Sequence, residues 1–168
     1  MDEDVPLLIA EFNHDHGRLI ERQRENRGFG KGFIVTNPNC AVVSFAPPLA
    51  ALHRRFGIES VIVTTMQAIS GAGYPGVASL DITDNVFPYI AGEEPKVEIE
   101  AQKILGTLTP NGIQKADFTV SAQCFRVNVI DGHTASVRVN LKETATLEDV
   151  VEAMRSFLKS TPDEVTSL

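Results

Sequence analysis

The stretch from Asn37 to Gln67, NPNCAVVSFAPPLAALHRRFGIESVIVTTMQ, decides the fold because it places an apolar helix directly before a strong strand. The helix is predicted for CAVVSFAPPLAALHRRFG, with basic residues and Gly57 at its end. ESVIVTTMQAI is rich in β-branched residues and predicts a strand that is buried on both faces at its start. Pro47 and Pro48 each remove a helical N–H at a cost of about 3 kcal/mol. We therefore expect a kink or a break there, with PLAALHRRF as a second helical piece.

Helices and strands alternate along the rest of the chain. Before the quoted stretch, we predict an extended segment over residues 1–13, a short polar helix in HDHGRLIERQREN ended by Gly28 and Gly30, and a strand in GFIVT. After it, we predict a loop in SGAGYPGVAS, a helical turn within the irregular LDITDNVFPYIAGEE, and a helix in EEPKVEIEAQKILGTL. The last elements are adjacent strands in DFTVSAQCFRVNVI and TASVRVNLK joined by a hairpin-like or loop DGH, and an amphipathic helix in TLEDVVEAMRSFLKS with Thr146 as N-cap. This order predicts an α/β or α+β fold, with helices packed on a mixed sheet. We expect residues 160–168 to form a frayed tail.

The composition is typical of one soluble domain. The chain has 168 residues, of which 43% are hydrophobic and 22% charged. A net charge of −7 argues against binding to nucleic acid or to an anionic membrane, since both need a basic surface. The start is acidic and no apolar stretch is long enough to span a bilayer. Two cysteines then indicate free thiols and a cytoplasmic protein.

Cys40 is the first candidate for chemistry, because it begins the predicted helix directly after Asn-Pro-Asn. A helix N-terminus brings partial positive charge and free N–H groups to the sulfur, which favours the thiolate nucleophile. Cys40 taken alone is also compatible with a buried structural cysteine, since free cysteines are commonly buried. The spacing of the residues leaves both interpretations open.

Other candidate residues lie at predicted strand ends. His133 follows Asp131 and Gly132 in a polar turn, and imidazole suits proton transfer near neutral pH. Arg126 could bind a carboxylate through two N–H groups or pair with a surface acid. We interpret the other histidines, His14, His16 and His53, as surface residues without metal-ligand spacing.

Two further groups accompany these residues. Glu93 and Lys96 lie one helical turn apart in GEEPK, and a solvated pair at a helix start would explain them equally well. Gln67 ends a buried strand and needs hydrogen-bond partners, and Gly71 and Gly73 after it let a ligand approach the backbone.

Long motifs carry a specific family resemblance. NPNC, TTMQAISGAGYPGVASLDITDNVFPYIAGEEPK, KILG and VSAQCFRVNVIDGHT resemble the catalytic and dimerisation domain of aspartate-semialdehyde dehydrogenase, in its archaeal and fungal branch. The resemblance covers nearly the whole chain, from about residue 2 to about residue 158, and implies the semialdehyde dehydrogenase dimerisation-domain fold.

The resemblance also implies roles for the candidate residues. It makes Cys40 the nucleophile, His133 the acid/base and Gln67 the residue that orients the substrate and thioester. It assigns substrate binding to four residues: Arg126 for the carboxylate, Glu93 for the amino group, Lys96 for phosphate, and Asn39. Ser70, Gly71 and Gly73 match a loop near the nicotinamide of NADP.

The implied reaction is NADPH-dependent reduction of β-aspartyl phosphate to aspartate semialdehyde through a Cys40 thioester, in amino-acid biosynthesis. The family has an N-terminal NADP-binding Rossmann domain, so we expect residues 1–30 to be the remnant of a linker, the NADP site to be incomplete and the protein to form a homodimer or homotetramer. Two alternatives remain. One is a related acyl-CoA reductase of the malonyl-CoA type, and the other is a non-catalytic dimerisation or binding module with an inert Cys40.

Overall fold

The computed structural model describes residues 2–159, without the side chains of the last two. The predicted frayed tail, residues 160–168, lies outside the described residues. The helices are α1 (Ala10–Asn13), α2 (Leu19–Arg27), α3 (Cys40–Phe56), α4 (Ser79–Ile82), α5 (Glu93–Ile104) and α6 (Leu147–Lys159), with 3₁₀ turns at His14–Arg18 and Ile69–Ala72. The strands are β1 (Ile58–Gln67), β2 (Val86–Phe87), β3 (Thr107–Thr109), β4 (Gly112–Gln114), β5 (Thr119–Val127) and β6 (Thr134–Leu141).

The predicted mixed sheet is confirmed, and β1 lies inside it. The strand order is β2-β5-β1-β6. β5 runs parallel to β1, whereas β6 runs antiparallel to β1. The two late strands do not pair with each other, because β1 lies between β5 and β6. Of the two connections expected at DGH, the loop is therefore confirmed and the hairpin is wrong. The loop of residues 128–133 instead crosses the carboxyl end of β1, where the Ile69 and Ser70 N–H groups donate to the carbonyls of Val129 and Ile130.

Helix α3 does not break at its prolines. It is a single helix over Cys40–Phe56 that contains Pro47 and Pro48, and Gly57 ends it at a φ of 66°. Its buried stripe, which includes Phe45 and Leu49, belongs to the same core cluster as residues of β1 and α5. Burial of this apolar face keeps the helix continuous despite the hydrogen bonds that the prolines remove.

One face of β1 is buried and the other is open. Val61, Val63 and Thr65 are buried, whereas Ile62 between them is 50% exposed. The prediction that β1 is buried on both faces at its start is therefore wrong for the described chain. The side chains alternate because α3 and α5 cover one face of the sheet only.

Helix α5 is fixed along the outer edge of β5. Glu94 and Glu98 accept hydrogen bonds from the backbone N–H groups of Cys124 and Ala122, at 3.2 and 3.0 Å. One further turn along, the Gln102 side chain donates to a backbone carbonyl just before β5, at 2.7 Å. Residues four apart lie on one helix face, so this ladder of three hydrogen bonds fixes the orientation of α5 about its own axis.

The segment GFIVT does not form the predicted strand. Within it Phe33, Ile34 and Val35 are exposed, and a single bridge joins Thr36 to Leu7. Hydrogen bonds from a buried side chain replace the ladder. Gln23 donates to the carbonyl of Ile34 and accepts from its N–H, at 2.9 and 2.6 Å.

The first residues are also more structured than the expected extended segment. Helix α1 begins at Ala10, and Phe12 is buried in the main core cluster. His16 is 2% exposed, so its prediction as a surface residue is wrong. Its ring contacts the Asn13 amide at 3.3 Å and the Gly106 carbonyl at 3.1 Å, and these contacts tie the N-terminal segment to the end of α5. None of the helices within residues 2–159 combines the length and apolar composition needed to cross a bilayer.

The stability of the fold should decrease as the pH falls below neutrality because of His16. Burial lowers the pKa of His16 from its ordinary 6.5. The unfolded chain therefore takes up a proton first, and the free energy of unfolding decreases as the pH falls from about 6.5 towards the folded-state pKa. Urea unfolding of His16→Gln between pH 7.5 and 5 should show a shallower loss than the wild type. The matched control is His14→Gln at an exposed position, and a His16→Gln profile parallel to the wild type would contradict this account.

Candidate active site

Cys40 is the first residue of α3, as the sequence predicts. Asn39 is the N-cap, and its side-chain oxygen accepts hydrogen bonds from the N–H groups of Ala41 and Val42 at 2.8 and 3.4 Å. The N–H of Cys40 itself has no hydrogen-bond partner among the described residues. The Cys40 side chain is exposed, so a free N–H donor lies directly beside an accessible thiol. That arrangement suits a nucleophile whose attack on an acyl carbon generates an oxyanion, because the free N–H can donate to that oxyanion.

His133 lies against this thiol. Its Nε2 is 3.1 Å from Cys40 Sγ, and the N–H of Ala68 donates to its Nδ1 at 3.1 Å. Since Nδ1 accepts a hydrogen bond, Nε2 is the ring nitrogen that carries the proton in neutral His133. The proton-bearing nitrogen therefore faces the sulfur, in position to donate.

The backbone of Ala68 also positions Arg126. The Arg126 Nη1 donates to the Ala68 carbonyl at 2.8 Å, and Arg126 is only 6% exposed. Its other guanidinium N–H groups have no partner among the described residues. They remain available for an anionic ligand, and the guanidinium geometry matches a carboxylate.

Gly71 lets the loop after β1 close over these side chains. A Cβ added at Gly71 would lie 2.9 Å from both Arg126 Nη1 and His133 Cε1. Ser70 joins this loop to the one that carries His133, because its hydroxyl donates to Asp131 Oδ1 at 2.8 Å. That hydrogen bond lowers the pKa of Asp131. The two loops therefore form one unit around Cys40.

Glu93, Gln67 and Asn39 form a second, more buried part of the site. Glu93 Oε1 accepts from Asn39 Nδ2 at 2.6 Å and from Gln67 Nε2 at 3.2 Å. Gln67 also donates to Thr65, which satisfies the amide that ends the buried strand. Glu93 Oε2 has no partner among the described residues, so one carboxylate oxygen remains for a cationic ligand group. Glu93 is therefore a bound, buried residue rather than half of a solvated pair with Lys96.

Lys96 and Gly73 are not joined to this cluster. Lys96 is exposed one turn after Glu93, and no hydrogen bond or ion pair of Lys96 is present among the described residues. Gly73 lies on the exposed loop at a φ of 67°, and a Cβ there would meet nothing within 4 Å. A ligand can approach the backbone at Gly73, as the sequence predicts for this loop.

Sequence reasoning missed Glu100. Its side chain is 8% exposed, and its Oε2 accepts the N–H of Asn39 at 2.6 Å. Burial is the main reason that the pKa of Glu100 is raised. The available signal was its position seven residues after Glu93, which puts both carboxylates on the same face of α5.

An open cleft of about 600 Å³ reaches Cys40. It is lined by Leu8, Ile9, Ala10, Glu11, Asn37, Pro38, Cys40 and Val43. Cys124, the second thiol, is fully buried, and burial raises its pKa. No group of three His, Cys, Asp or Glu residues within the described part of the chain is placed to hold a metal ion.

The arrangement has the parts of a covalent acyl-transfer site. An exposed thiol lies at a helix N-terminus, an imidazole nitrogen lies within hydrogen-bond distance of it, and a free backbone N–H lies beside it. The guanidinium of Arg126 is bound to Ala68 and the carboxylate of Glu93 to Asn39, and both have unpaired atoms that suit a ligand with both charges.

A family comparison agrees with this fold. Residues 49–165 match the family described as semialdehyde dehydrogenase, dimerisation domain. The chain belongs to this family.

The similar proteins indicate which member of the family it resembles. An aspartate-semialdehyde dehydrogenase of Archaeoglobus fulgidus is 50% identical over 98% of this chain and 49% of the relative. A crystal structure of the enzyme of that name with NADP, from Candida albicans, is 36% identical, has a TM-score of 0.78 and covers 92% of this chain and 46% of that one. A malonyl CoA reductase (NADP) of Metallosphaera sedula is 40% identical over 98% of this chain and 46% of the relative. The chain thus spans about half the length of the curated relatives it matches.

Substitution of Gly71 should disturb the site without unfolding the chain. In Gly71→Ala, the methyl group would displace Arg126 and His133, which are side-chain ends that can move. Loss of the His133 contact should slow iodoacetamide alkylation of Cys40 about tenfold, since a hydrogen bond to a charged group is worth about 1.5 kcal/mol or more. Peptide mass mapping measures the rate at Cys40 separately from Cys124.

The matched control for this test is Gly32→Ala. A Cβ at Gly32 meets nothing within 4 Å, and its φ is not in the left-handed region. This variant should alkylate at the wild-type rate. Equal rates for Gly71→Ala and Gly32→Ala would show that Gly71 does not hold the His133 contact.

Proposed function

We propose that the chain carries the catalytic half of an NADP-dependent aspartate-semialdehyde dehydrogenase, which reduces β-aspartyl phosphate to aspartate semialdehyde through a thioester on Cys40. The observation that carries the proposal is the 3.1 Å contact between Cys40 Sγ and His133 Nε2 at the N-terminus of α3. The relatives of that name support the choice of substrate. We also propose that the protein acts in amino-acid biosynthesis in the cytoplasm, as the sequence predicts.

The first step is acyl transfer to sulfur. The Cys40 thiolate attacks the acyl carbon of β-aspartyl phosphate, and phosphate leaves with the electron pair of the broken C–O bond. The free N–H of Cys40 donates to the oxyanion that develops on the acyl oxygen. Gln67 orients the acyl group, because its buried side-chain amide is already fixed by hydrogen bonds to Glu93 and Thr65.

The flanking charges recognise the amino-acid part of the substrate. The unpaired N–H groups of Arg126 bind the α-carboxylate, and the free Oε2 of Glu93 accepts from the α-ammonium group. Asn39 lies between Glu93 and Cys40 and orders both, which agrees with its predicted place in the substrate site. Lys96, exposed and unpaired among the described residues, is free to move towards the phosphate.

The second step needs a nicotinamide cofactor, which supplies the hydride that reduces the acyl carbon. The residues present fit one wall of such a site, because the loop of Ser70, Gly71 and Gly73 lies next to His133 and leaves open space at Gly73. As the C–S bond breaks, Cys40 Sγ leaves with the electron pair of that bond, and the Nε2–H group of His133 donates a hydrogen bond that stabilises the departing thiolate. The NADP-binding domain expected from the resemblance would supply the rest of the site.

A reductase that acts on malonyl-CoA is the second candidate, since a relative of that name is 40% identical. Both reactions pass through a Cys40 thioester. Malonate has no amino group, so it would leave the free oxygen of Glu93 without a partner. Glu93 therefore favours the aspartyl substrate.

We also propose that the open face of the sheet forms the contact of a homodimer, which could in turn pair as a homotetramer. On this face Ile62 of β1 lies in register between Ser121 of β5 and Arg138 of β6. An open sheet face with an exposed isoleucine at its centre is a suitable surface for a second copy. The description of the family as a dimerisation domain supports this assembly.

Acylation of Cys40 tests the proposed chemistry without any nucleotide. β-Aspartyl phosphate added to the chain should release one phosphate per chain and add the mass of an aspartyl group to the peptide that contains Cys40. Cys40→Ser should abolish both signals, and Arg126→Ala should reduce the acylation rate by about a hundredfold, since a lost bidentate pair costs about 3 kcal/mol.

Competing acyl donors provide the control for this experiment. Malonyl-CoA should acylate Cys40 much more slowly than β-aspartyl phosphate does. Faster acylation by malonyl-CoA would select the second candidate. No acylation by either donor would favour a non-catalytic module with an inert Cys40.

A charge at the centre of the open sheet face tests the proposed dimer. Ile62→Lys should make the chain monomeric in sedimentation at micromolar concentration. It adds one cationic group beside Arg138 in each copy, and two such faces would repel each other. The matched control is Ile99→Lys, which changes a 39%-exposed isoleucine of α5. Dimers that persist in Ile62→Lys would place the contact elsewhere.

A further inference from the structure

Glu100 is a buried carboxylate that the proposed reaction does not use. It lies on α5, two turns after Glu93, and is 8% exposed. The described charged groups that act on it are Glu93, Lys96 and Lys103, all from its own helix, and burial outweighs them. A carboxylate is costly in such a place unless it makes strong hydrogen bonds. The bond that Glu100 makes is to the residue before the nucleophile, at 2.6 Å from the Asn39 N–H.

Asn39 is held by two carboxylates of one helix. Glu93 accepts from its side-chain amide at 2.6 Å, and Glu100 accepts from its backbone N–H at the same distance. Both bonds are charge-assisted and short, so they fix the main chain and the side chain of Asn39 separately. The ladder of Glu94, Glu98 and Gln102 on β5 keeps α5 from rotating away.

The fixed Asn39 in turn decides which N–H groups are free beside the thiol. Its side-chain oxygen takes the N–H groups of Ala41 and Val42. Glu100 takes the N–H of Asn39 itself. Of the four successive amides from Asn39 to Val42, only that of Cys40 has no partner among the described residues.

We propose that Glu100 is a positioning residue that, through Asn39, sets the direction of the Cys40 thiol and leaves the Cys40 N–H as the oxyanion donor. The oxyanion-donor role of the Cys40 N–H rests on the proposed function, because only acylation of Cys40 needs such a donor. The positioning of Asn39 and Cys40 by Glu100 does not depend on turnover. It requires only that loss of the Glu100 acceptor lets the first turn of α3 move away from His133.

The test compares Cys40 alkylation by iodoacetamide in the 168-residue chain and in variants of two helix α5 carboxylates. Glu100→Ala removes the acceptor for Asn39, whereas Glu100→Gln keeps an oxygen at the same reach. Glu98→Ala is the matched control, since it breaks an equivalent bond from the same helix to the N–H of Ala122 in β5. The bonds of Glu94 and Gln102 remain in this variant and keep α5 in place. Amide ¹H–¹⁵N spectra report the Asn39 and Cys40 N–H groups directly, and thermal unfolding reports the stability of each variant.

We expect Glu100→Ala to alkylate about tenfold more slowly, Glu100→Gln to stay within about threefold of the wild type, and Glu98→Ala to match the wild type. If Glu100→Ala does not fold, Glu100→Asp replaces it, because a carboxylate that is one methylene shorter cannot reach Asn39. Equal alkylation rates for the Glu100 and Glu98 variants, or unchanged Asn39 and Cys40 amide signals, would overturn the proposal. Failure of the proposed function would appear differently, as absent acylation by β-aspartyl phosphate while alkylation still depends on Glu100.

Discussion

The site depends on the hydrogen bonds that hold Asn39 between α5 and the first turn of α3. Asn39 accepts from two amides of α3 with its oxygen and donates to Glu93 and Glu100 with its two nitrogens. Because Cys40, the proposed nucleophile, is the next residue, its position follows from these contacts and not from its own packing. Because Cys40 is exposed, packing against neighbouring side chains does not fix its position. The N-cap hydrogen bonds of Asn39 and the two carboxylates that bind Asn39 fix it instead.

The second constraint is the place of β1 in the sheet. β5 and β6 pair with opposite edges of β1, so the chain between them has to cross its carboxyl end. This crossing brings His133 next to Cys40, although the two residues are 93 positions apart in the chain. At the end of β1, the N–H of Ala68 then donates to His133 and the carbonyl of Ala68 accepts from Arg126. The backbone of one residue thus aligns the proposed proton donor and the proposed anion-binding group.

The sequence predicts local features well and long-range partners poorly. The end of α3 at Gly57, the helix that begins at Glu93 and the N-cap at Thr146 follow from capping and periodicity, and the structure confirms them. Propensity failed where tertiary contacts outweigh it. A buried stripe carries α3 through Pro47 and Pro48, and Gln23 holds the segment expected as a strand without a ladder.

By itself, the sequence determined the fold class and the place of Cys40 at a helix start, and the family resemblance supplied the candidate residues of the site. Those features depend on neighbours a few positions apart or on motifs that are read directly. Only the tertiary structure decided that β1 separates β5 from β6, that His16 is buried and that Glu100 holds Asn39. The physical reason is that a buried hydrogen bond is set by which elements pack together, and partners 61 residues apart in the chain, as Asn39 and Glu100 are, leave no local pattern.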